Sequence, residues 1–334
     1  MARPRKTKEK EPTLNLAIAL AFMKHAQVDK ADDIVAKSHC RLANGYAVAF
    51  DGILAVGHPI DEELNVCPHS FRLIDALKRC KKAVSITQMD DDTIVIKSGK
   101  FRAVVPCLNP AALAYTAPDP VAGEINDEIK VGFAALNPLV SGTGKTTIEA
   151  SLSLNNGSMV ATDRHLIIEF WHGINLPNGL SIPKAAINAV CRIGKTLIGI
   201  GVSNQTVTFH YECGSWLRTQ LYGDKWPDVS RILNEGDVFN SPPVPDGFFD
   251  AVEAVAPFSR DGAIHVLDEC IASSNISGVG ATYELKGITP GLSFNARHLT
   301  MIKTHVKSFD FTGKNNVSFF FGDNMRGAIT QRKV

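Results

Sequence analysis

Three stretches of the sequence decide the fold: VCPHSFRLIDALKRCKK (66–82), LSIPKAAINAVCRIGK (180–195) and LSFNARHLTMIKTHVK (292–307). Each stretch predicts an extended segment that leads into an amphipathic helix of about twelve residues. Three short strands, separated by tight turns, are predicted to follow each helix. The same order of elements therefore occurs three times along the chain.

The spacing of these stretches predicts the domain organisation. The equivalent residues Cys67, Ile182 and Phe294 recur at intervals of 115 and 112 residues. A period this long exceeds that of solenoid repeats and predicts three similar domains in tandem.

The first part of each predicted domain also has a common layout, a helix followed by strands. The alternation in ASLSL (150–154) is typical of a half-buried strand, and the NG and NNG sequences mark hairpin turns. Segments 110–123 and 234–247 are rich in Pro and Gly and are predicted linkers. Each domain is therefore predicted to be α+β, with two helices packed on antiparallel sheet. The predicted boundaries are an arm at 1–13 and domains at 14–120, 121–236 and 237–334.

The composition excludes several classes of protein. Of 334 residues, 45% are hydrophobic, which excludes wholesale disorder, and 35 Lys+Arg balance 34 Asp+Glu. No apolar run is long enough to span a membrane, so we expect a soluble cytoplasmic protein without a membrane partner. The seven cysteines are scattered and never spaced as CxxC. This pattern predicts free thiols, with neither a disulfide framework nor a zinc site.

The N-terminal segment is strongly basic and has no apolar periodicity. It carries Arg3, Arg5, Lys6, Lys8 and Lys10. We predict a disordered arm here, which is either a merely solvated terminus or a segment that contacts nucleic acid.

Positive charge is segregated onto the second helix of each predicted domain. At 100° per residue the apolar side chains share one arc and the basic ones lie across from it. These helices hold eleven basic residues and a single acid, Asp75. Solvated helix faces usually mix both signs, so the pattern favours a phosphate-facing surface that grips duplex DNA without base readout. The predicted DNA-binding residues on these faces are Arg72, Lys78, Arg79, Lys82, Lys184, Arg192, Lys195, Arg297, Lys303 and Lys307, with Lys81 on the same helices and Lys24 near the first helix.

The motif that most resembles a catalytic one is SGTGKTT (141–147). A phosphate-binding P-loop needs G-x-x-x-x-G-K-[ST], but Leu139 stands where the first glycine belongs. A P-loop also joins a buried strand to a helix, whereas here a predicted helix precedes the motif. Asp163 and His165 suggest acid–base chemistry, but no nucleophile accompanies them, so a turn-forming Asp and a structural His are preferred. The sequence predicts no catalytic residue, metal site or cofactor.

The stretch MVATDRHLIIEFW (159–171), followed by LSIPKAAINAV (180–190) and YGDKWPDVSRIL (222–233), resembles the bacterial DNA polymerase III β sliding clamp family. That family has V-A-T-D-G-H-R-L, I-P-[RK]-K-A and F-P-D-[YF]-x-R-[VI]-[LI] segments in this order. SFNARHLTMI (293–302) is similar to the family's F-N-x-x-Y-L-x-D-x-L helix. The resemblance covers about 14–334, and the basic arm suggests a phage or mobile-element version.

The resemblance implies a non-enzymatic processivity factor. Three-domain subunits would form a head-to-tail homodimer, closed into a ring around duplex DNA, and tether a DNA polymerase and a clamp loader through a short peptide motif. Lys145, Thr146 and Thr147 would contact phosphate. The edge strand with Phe101, Ala103 and Val105 would pair with the other subunit near Pro257 and Phe258.

The family's partner-peptide pocket carries over residue by residue. It would involve Ile148, Thr162, His165, Ile167, Pro227, Arg231, Ile232, Asn295, His298, Ile329, Thr330, Gln331 and Arg332. Arg164 replaces the family's glycine, Leu166 its arginine, and TQRKV (330–334) its methionine-containing tail. These departures imply a pocket that is narrower, more basic or tuned to a different motif. Two other hypotheses stay open: a clamp-like module that sequesters clamp partners without forming a ring, and a P-loop NTPase.

Overall fold

The computed structural model describes residues 13–27, 37–81, 83–89, 92–113, 116–143, 146–276, 278–312 and 315–332. The predicted basic arm, Lys82 and Lys145 lie outside these residues. The helices are α1 (Thr13–Met23), α2 (Ser70–Lys78), α3 (Glu128–Leu136), α4 (Lys184–Arg192), α5 (Ser230–Leu233), α6 (Phe248–Val255) and α7 (Ala296–Ile302). Short 3-10 turns follow α1 and α6, at Lys24–Ala26 and Ala256–Phe258, and another lies at Pro110–Ala112.

In chain order the strands form three runs, of seven, eight and seven strands. The first run is β1 (Arg41–Ala43), β2 (Tyr46–Phe50), β3 (Leu54–Pro59), β4 (Cys67–Pro68), β5 (Ser85–Met89), β6 (Thr93–Ser98) and β7 (Phe101–Leu108). The second is β8 (Gly123–Glu124), β9 (Ser151–Leu154), β10 (Ser158–Thr162), β11 (Leu166–Trp171), β12 (Leu180–Pro183), β13 (Leu197–Val202), β14 (Thr206–Tyr211) and β15 (Trp216–Gln220). The third is β16 (Ala263–Leu267), β17 (Cys270–Ala272), β18 (Thr282–Glu284), β19 (Leu292–Asn295), β20 (Ser308–Phe309), β21 (Val317–Phe321) and β22 (Met325–Thr330).

Each repeat has a leading half and a trailing half, as the sequence predicts. The leading halves are α1 with β1–β3, α3 with β9–β11, and α6 with β16–β18. The trailing halves are α2 with β5–β7, α4 with β13–β15, and α7 with β20–β22. Strands pair antiparallel throughout, so the α+β prediction is confirmed.

By its contacts the chain divides into two compact units rather than along the repeats. One unit holds Met1–Asn126 and Arg192–Gln220, and the other holds Asp127–Cys191 and Leu221–Val334. The reason lies in the sheets, because each seven-stranded sheet combines the leading half of one repeat with the trailing half of the next. Their orders are β1-β2-β3-β15-β14-β13-β8 and β12-β9-β10-β11-β22-β21-β20. The predicted domain boundaries at 120 and 236 stay a prediction.

The helices bury one apolar face. In α4 the buried residues Ala186, Ile187 and Val190 lie on the arc that the sequence predicts. The helices are shorter than predicted: α3 ends at Leu136, because the ring of Pro138 cannot continue the helical hydrogen bonding. In the third repeat the side chain of Asn295 begins α7 by accepting a hydrogen bond from the backbone N–H of Arg297.

Candidate functional site

One face of the second unit's seven-stranded sheet carries an unusual concentration of apolar side chains. Residues paired directly across antiparallel strands point to the same face. Ile167, Ala328 and Phe319 form one row across β11, β22 and β21, and two more rows flank it. We call the three rows the apolar face; the flanking rows are Glu169, Arg326, Phe321 and His165, Thr330, Val317.

The short helix α5 lies on the apolar face. Leu233 is buried in a cluster with Phe319, Phe321 and Ala328, and Ile167, Val229 and Val317 pack around it while staying partly accessible. The preceding residue, Ile232, is 41% exposed. Covered by only one turn of helix, the face therefore keeps an accessible apolar rim.

Polar bonds hold the rim in place. The side chain of Arg326 pairs with Glu169 at 2.7 Å and donates a 3.0 Å hydrogen bond to the Asn234 amide oxygen at the end of α5. At the other end, the backbone N–H of Thr330 donates to the carbonyl oxygen of His165 at 2.8 Å. These bonds fix α5 and the β10–β11 turn on either side of the apolar rows.

The β10–β11 turn is tied to α7 through a buried histidine. The Asp163 carboxylate accepts backbone hydrogen bonds from His165 at 3.1 Å and Leu166 at 2.9 Å, and its other oxygen lies 2.7 Å from Nε2 of His298. Burial alone raises the pKa of Asp163. The hydrogen bond from His298, its charge and the two backbone N–H groups outweigh burial, so the pKa of Asp163 is lowered from its ordinary value. Asp163 is therefore an ionised anchor rather than a general base.

Arg164, at the tip of this turn, has a backbone conformation that normally favours glycine. Its φ is 76°, in the left-handed region that costs non-glycine residues free energy. Its backbone N–H donates to the hydroxyl of Thr162 at 3.0 Å, and its guanidinium pairs with Glu149. The arginine that replaces the family's glycine is thus held by Glu149, the residue that follows Ile148.

The first unit offers an internal comparison, because its seven-stranded sheet is built in the same way. Asp51 makes the same turn as Asp163, accepting hydrogen bonds from the backbone of Ile53 and Leu54 at 2.8 and 2.7 Å. The row equivalent to Ile167, Ala328 and Phe319 is Ala55, Arg218 and Thr208.

This equivalent row is polar, and the chain itself covers it. Asp119 accepts hydrogen bonds from Thr206 at 2.8 Å and Thr208 at 2.9 Å, and Arg218 lies 3.4 Å from its carboxylate. The central row of the second unit is therefore wholly apolar, whereas Asp119 occupies the polar part of the equivalent row in the first unit.

Of the predicted pocket residues, His165, Ile167 and Thr330 lie in the three rows, and Ile232 lies on α5. Ile148, Ile167, Thr330 and Gln331 are half-buried, and His165, Pro227, Arg231, Ile232 and Arg332 are exposed. Arg332 is held by the third repeat, since its guanidinium donates to the carbonyl oxygen of Asp261 at 2.8 Å.

Four predicted pocket residues have structural roles instead. Ile329 is fully buried, so it cannot form an accessible wall, and Ala328 faces the rim in its place. Thr162 and His298 are also buried, with the Thr162 hydroxyl donating to the carbonyl oxygen of Leu166 at 2.9 Å. Asn295 caps α7.

Sequence reasoning missed the residues that make the face apolar: Val229, Leu233, Phe319, Phe321 and Ala328. The signal was present in VSFFF (317–321), where alternate residues Val317, Phe319 and Phe321 point one way along a strand. Four of the five residues are apolar, so the stretch does not show the alternation of apolar and polar residues that would reveal its two faces.

The predicted DNA-binding residues differ in what surrounds them. Arg72, Lys78 and Arg79 on α2, Lys24 after α1 and Arg192 at the end of α4 are exposed. Lys195 is half-buried, its ammonium 6.0 Å from the centre of the Phe22 ring. Four predicted cations of the second unit bind other groups of the protein. Lys184 and Arg297 donate to backbone carbonyl oxygens, and Lys303 and Lys307 pair with carboxylates.

The predicted subunit interface is partly corrected. β6 covers one edge of β7, and β4 pairs only with Cys107 and Leu108, so the unpaired edge among the described strands is 101–106. Val105 is buried within its own sheet, whereas Phe101 and Ala103 are half-buried. Val105 therefore cannot supply an interface side chain. Pro257 is exposed, and Phe258 is 63% exposed.

The remaining motifs show no arrangement for chemistry. SGTGKTT lies between α3 and β9, the reverse of the strand-to-helix order of a P-loop. The Thr147 hydroxyl donates to Asp224, and Thr146 is exposed. All seven cysteines are free thiols. Within the described ranges no group of His, Cys, Asp or Glu is placed to hold a metal ion, and no helix is long and apolar enough to cross a membrane.

No family profile and no curated protein matches the sequence. Solved structures do match over nearly the whole chain. A C. crescentus β sliding clamp superposes with a TM-score of 0.78 at 18% identity, covering 96% of this chain and 98% of its own. The β subunit of the Streptococcus pyogenes DNA polymerase does so with a TM-score of 0.78 at 15% identity, covering 97% and 99%. A Helicobacter pylori β clamp bound to a DNA ligase peptide has a TM-score of 0.74 at 15% identity, covering 96% and 98%. The expected sliding-clamp fold is confirmed.

Proposed function

We propose that this chain, whose fold is that of the bacterial β sliding clamps, is a DNA sliding clamp. It would encircle duplex DNA without sequence preference and tether a replicative DNA polymerase. Tethering replaces repeated capture from solution by a high effective concentration. The function therefore needs binding surfaces and no catalytic residue, and the protein is proposed to be non-enzymatic.

The observation that carries this proposal is the pattern of pairing between repeats. In both seven-stranded sheets the third strand of a leading half pairs antiparallel with the last strand of the next trailing half: β3 with β15, and β11 with β22. The leading half of the third repeat and the trailing half of the first have no such partner among the described strands of the chain. They end in β18 and β7, which belong to two separate four-stranded sheets, β18-β17-β16-β19 and β4-β7-β6-β5. The same rule applied between two copies joins β18 of one to β7 of the other. Two such head-to-tail joints close a ring.

The exposure of these elements supports the joint. Thr282, Tyr283 and Glu284 in β18 are all exposed, and one edge of 101–106 lacks a partner strand among the described residues. An unpaired strand edge is an aggregation hazard unless another chain covers it. A second copy would cover both edges at once.

The segments that follow α3 and α6, the first helices of the second and third repeats, can be compared position by position. α3 is followed by Asn137-Pro138-Leu139, and α6 by the equivalent Ala256-Pro257-Phe258. Leu139, at a junction inside the chain, is 4% exposed, whereas Phe258 is 63% exposed. We infer that the partner subunit buries Phe258 at the equivalent junction between chains.

The apolar face is the proposed docking site for the polymerase and the clamp loader. An apolar rim with a few fixed polar groups suits an extended peptide with one or two apolar anchors. The similar H. pylori clamp binds a DNA ligase peptide.

Size and topology test the function together. The purified protein is expected as a dimer of about 72 kDa, twice 36.1 kDa. Once loaded, it should stay on closed circular DNA through a gel-filtration column and be lost when a nuclease linearises the circle. A chain that is monomeric at micromolar concentration, or that dissociates equally from circular and linear DNA, would favour the ringless module that sequesters clamp partners.

A further inference from the structure

The basic side chains of the three trailing helices are not equivalent in the folded protein. Arg72 on α2, and Arg79 and Lys81 directly after it, are exposed, and among the described residues none of the three has an ion pair or a side-chain hydrogen bond. Lys78 has only a loose pair with Asp75, 3.8 Å long between side chains 69% and 71% exposed. Exposed pairs of this kind contribute little and leave the cation available to another anion.

Two of the three equivalent cations of the third repeat, Lys303 and Lys307 after α7, are paired with carboxylates of the protein. Nζ of Lys303 lies 2.8 Å from the Glu253 carboxylate and 3.3 Å from that of Asp250, both on α6. The hydrogen bond to Glu253, followed by that to Asp250, raises the pKa of Lys303. Lys307 pairs with Asp323. Two lysines thus face three carboxylates.

Two further predicted DNA-binding cations of the second unit, Lys184 and Arg297, support the fold at the end of α3. The ammonium of Lys184 donates to the carbonyl oxygen of Asn137, and the guanidinium of Arg297 donates to that of Pro138 at 3.3 Å. Both therefore satisfy carbonyl groups that the helix end leaves without partners. Burial lowers the pKa of Lys184, and the positive charge of Arg297 acts in the same direction.

We propose that the grip on DNA is one-sided, with α2 supplying most of the phosphate contacts and α7 few or none. This inference rests on the proposed clamp function and goes beyond it, because the sequence assigns equal roles to the three helices. A phosphate must displace no competing carboxylate at Arg72, Arg79 and Lys81, but it must displace two at Lys303. The ion-pair pattern, rather than the number of basic residues, thus determines which helices contact the DNA phosphates.

The test compares matched double variants of the full-length protein by the salt dependence of its association with a DNA duplex. Lys78→Ala/Arg79→Ala on α2 is expected to lower the log–log slope by about 1.8, since each lost phosphate contact contributes about 0.9. Between 50 and 200 mM salt this change amounts to roughly tenfold in affinity. Lys303→Ala/Lys307→Ala on α7 is expected to change the slope by less than about half of one contact.

A third variant tests the cause. Asp250→Asn/Glu253→Gln removes the two acids and leaves Lys303 in place, so the slope should rise by about 0.9 if the carboxylates are what withhold Lys303 from DNA. Equal losses for the α2 and α7 variants would overturn the one-sided grip while leaving the clamp function standing, as would a slope unchanged by the α2 variant. A wild-type protein without any salt-dependent association with DNA would overturn both. Thermal unfolding of each variant separates a folding defect from a lost contact.

Discussion

Asp163 and Asp51 make the same turn, but only Asp163 has a histidine partner. Replacing Asp163 by Asn keeps the turn and removes the charge opposite buried His298, which should cost about 1.5–3 kcal/mol of unfolding free energy. Asp51→Asn should cost less than about 1 kcal/mol. Because folding lowers the pKa of Asp163 from 3.8, its contribution is full well above pH 3.8 and is lost as the pH falls through the lower folded value. Chemical denaturation between pH 2 and 7 measures this; equal costs at the two sites would contradict it.

Ile232 is the exposed apolar residue of α5 and the proposed anchor contact for a partner peptide. Ile232→Asp should abolish stimulation of the polymerase, because a carboxylate would lie against the apolar anchor, while dimerisation and encirclement of DNA persist. Ile198→Asp, at an exposed isoleucine on β13 in the other unit, is the control and should leave stimulation intact. Primer extension with the cognate polymerase is the measurement. Stimulation that survives Ile232→Asp would move the partner site elsewhere.

At the scale of elements, Leu233 is the buried residue that anchors α5 on the sheet, and a helix of four residues has little stability of its own. Leu233→Ala should cost about 2–5 kcal/mol and release α5 from the apolar face. The neighbouring Ile232→Ala, at an exposed side chain, should cost less than about 1 kcal/mol. Urea denaturation and amide hydrogen exchange of 227–234 would measure both. Similar losses for the two variants would mean that α5 is held by its exposed side.

At the scale of the whole molecule, the proposed closure of two chains into a ring depends on Phe258. Burying its ring contributes roughly 1.5–3 kcal/mol at each of two interfaces. Phe258→Asp should therefore give folded monomers of about 36.1 kDa that bind DNA weakly and slide off free ends. Val131→Asp, at an exposed apolar residue of α3, should remain dimeric. Analytical ultracentrifugation compares them, and a dimeric Phe258→Asp would place the interface away from the end of α6.

The sequence by itself determined the repeating order of elements, the α+β class and the amphipathic helices. These depend on local periodicity and turn residues, which act over a few neighbours: the buried arc of α4 is the one that the spacing predicts. The predicted pocket residues Ile167 and Thr330 are far apart in sequence, and they lie close together because β11 pairs with β22.

Only the tertiary structure decided which of these residues are accessible and which charges are available. Ile329 and Val105 are buried because the pairing register turns them toward the interior, and a shift of one residue would reverse this. Strand pairing also decides which side chains share a row. It places Phe319 beside Ala328 in the second unit, and Thr208 beside Arg218 at the equivalent position in the first. Lys303 reads as a free cation in sequence, yet α6 brings Asp250 and Glu253 to it from about fifty residues away. Contacts between residues so far apart in the chain exist only after folding, so local pattern cannot reveal them.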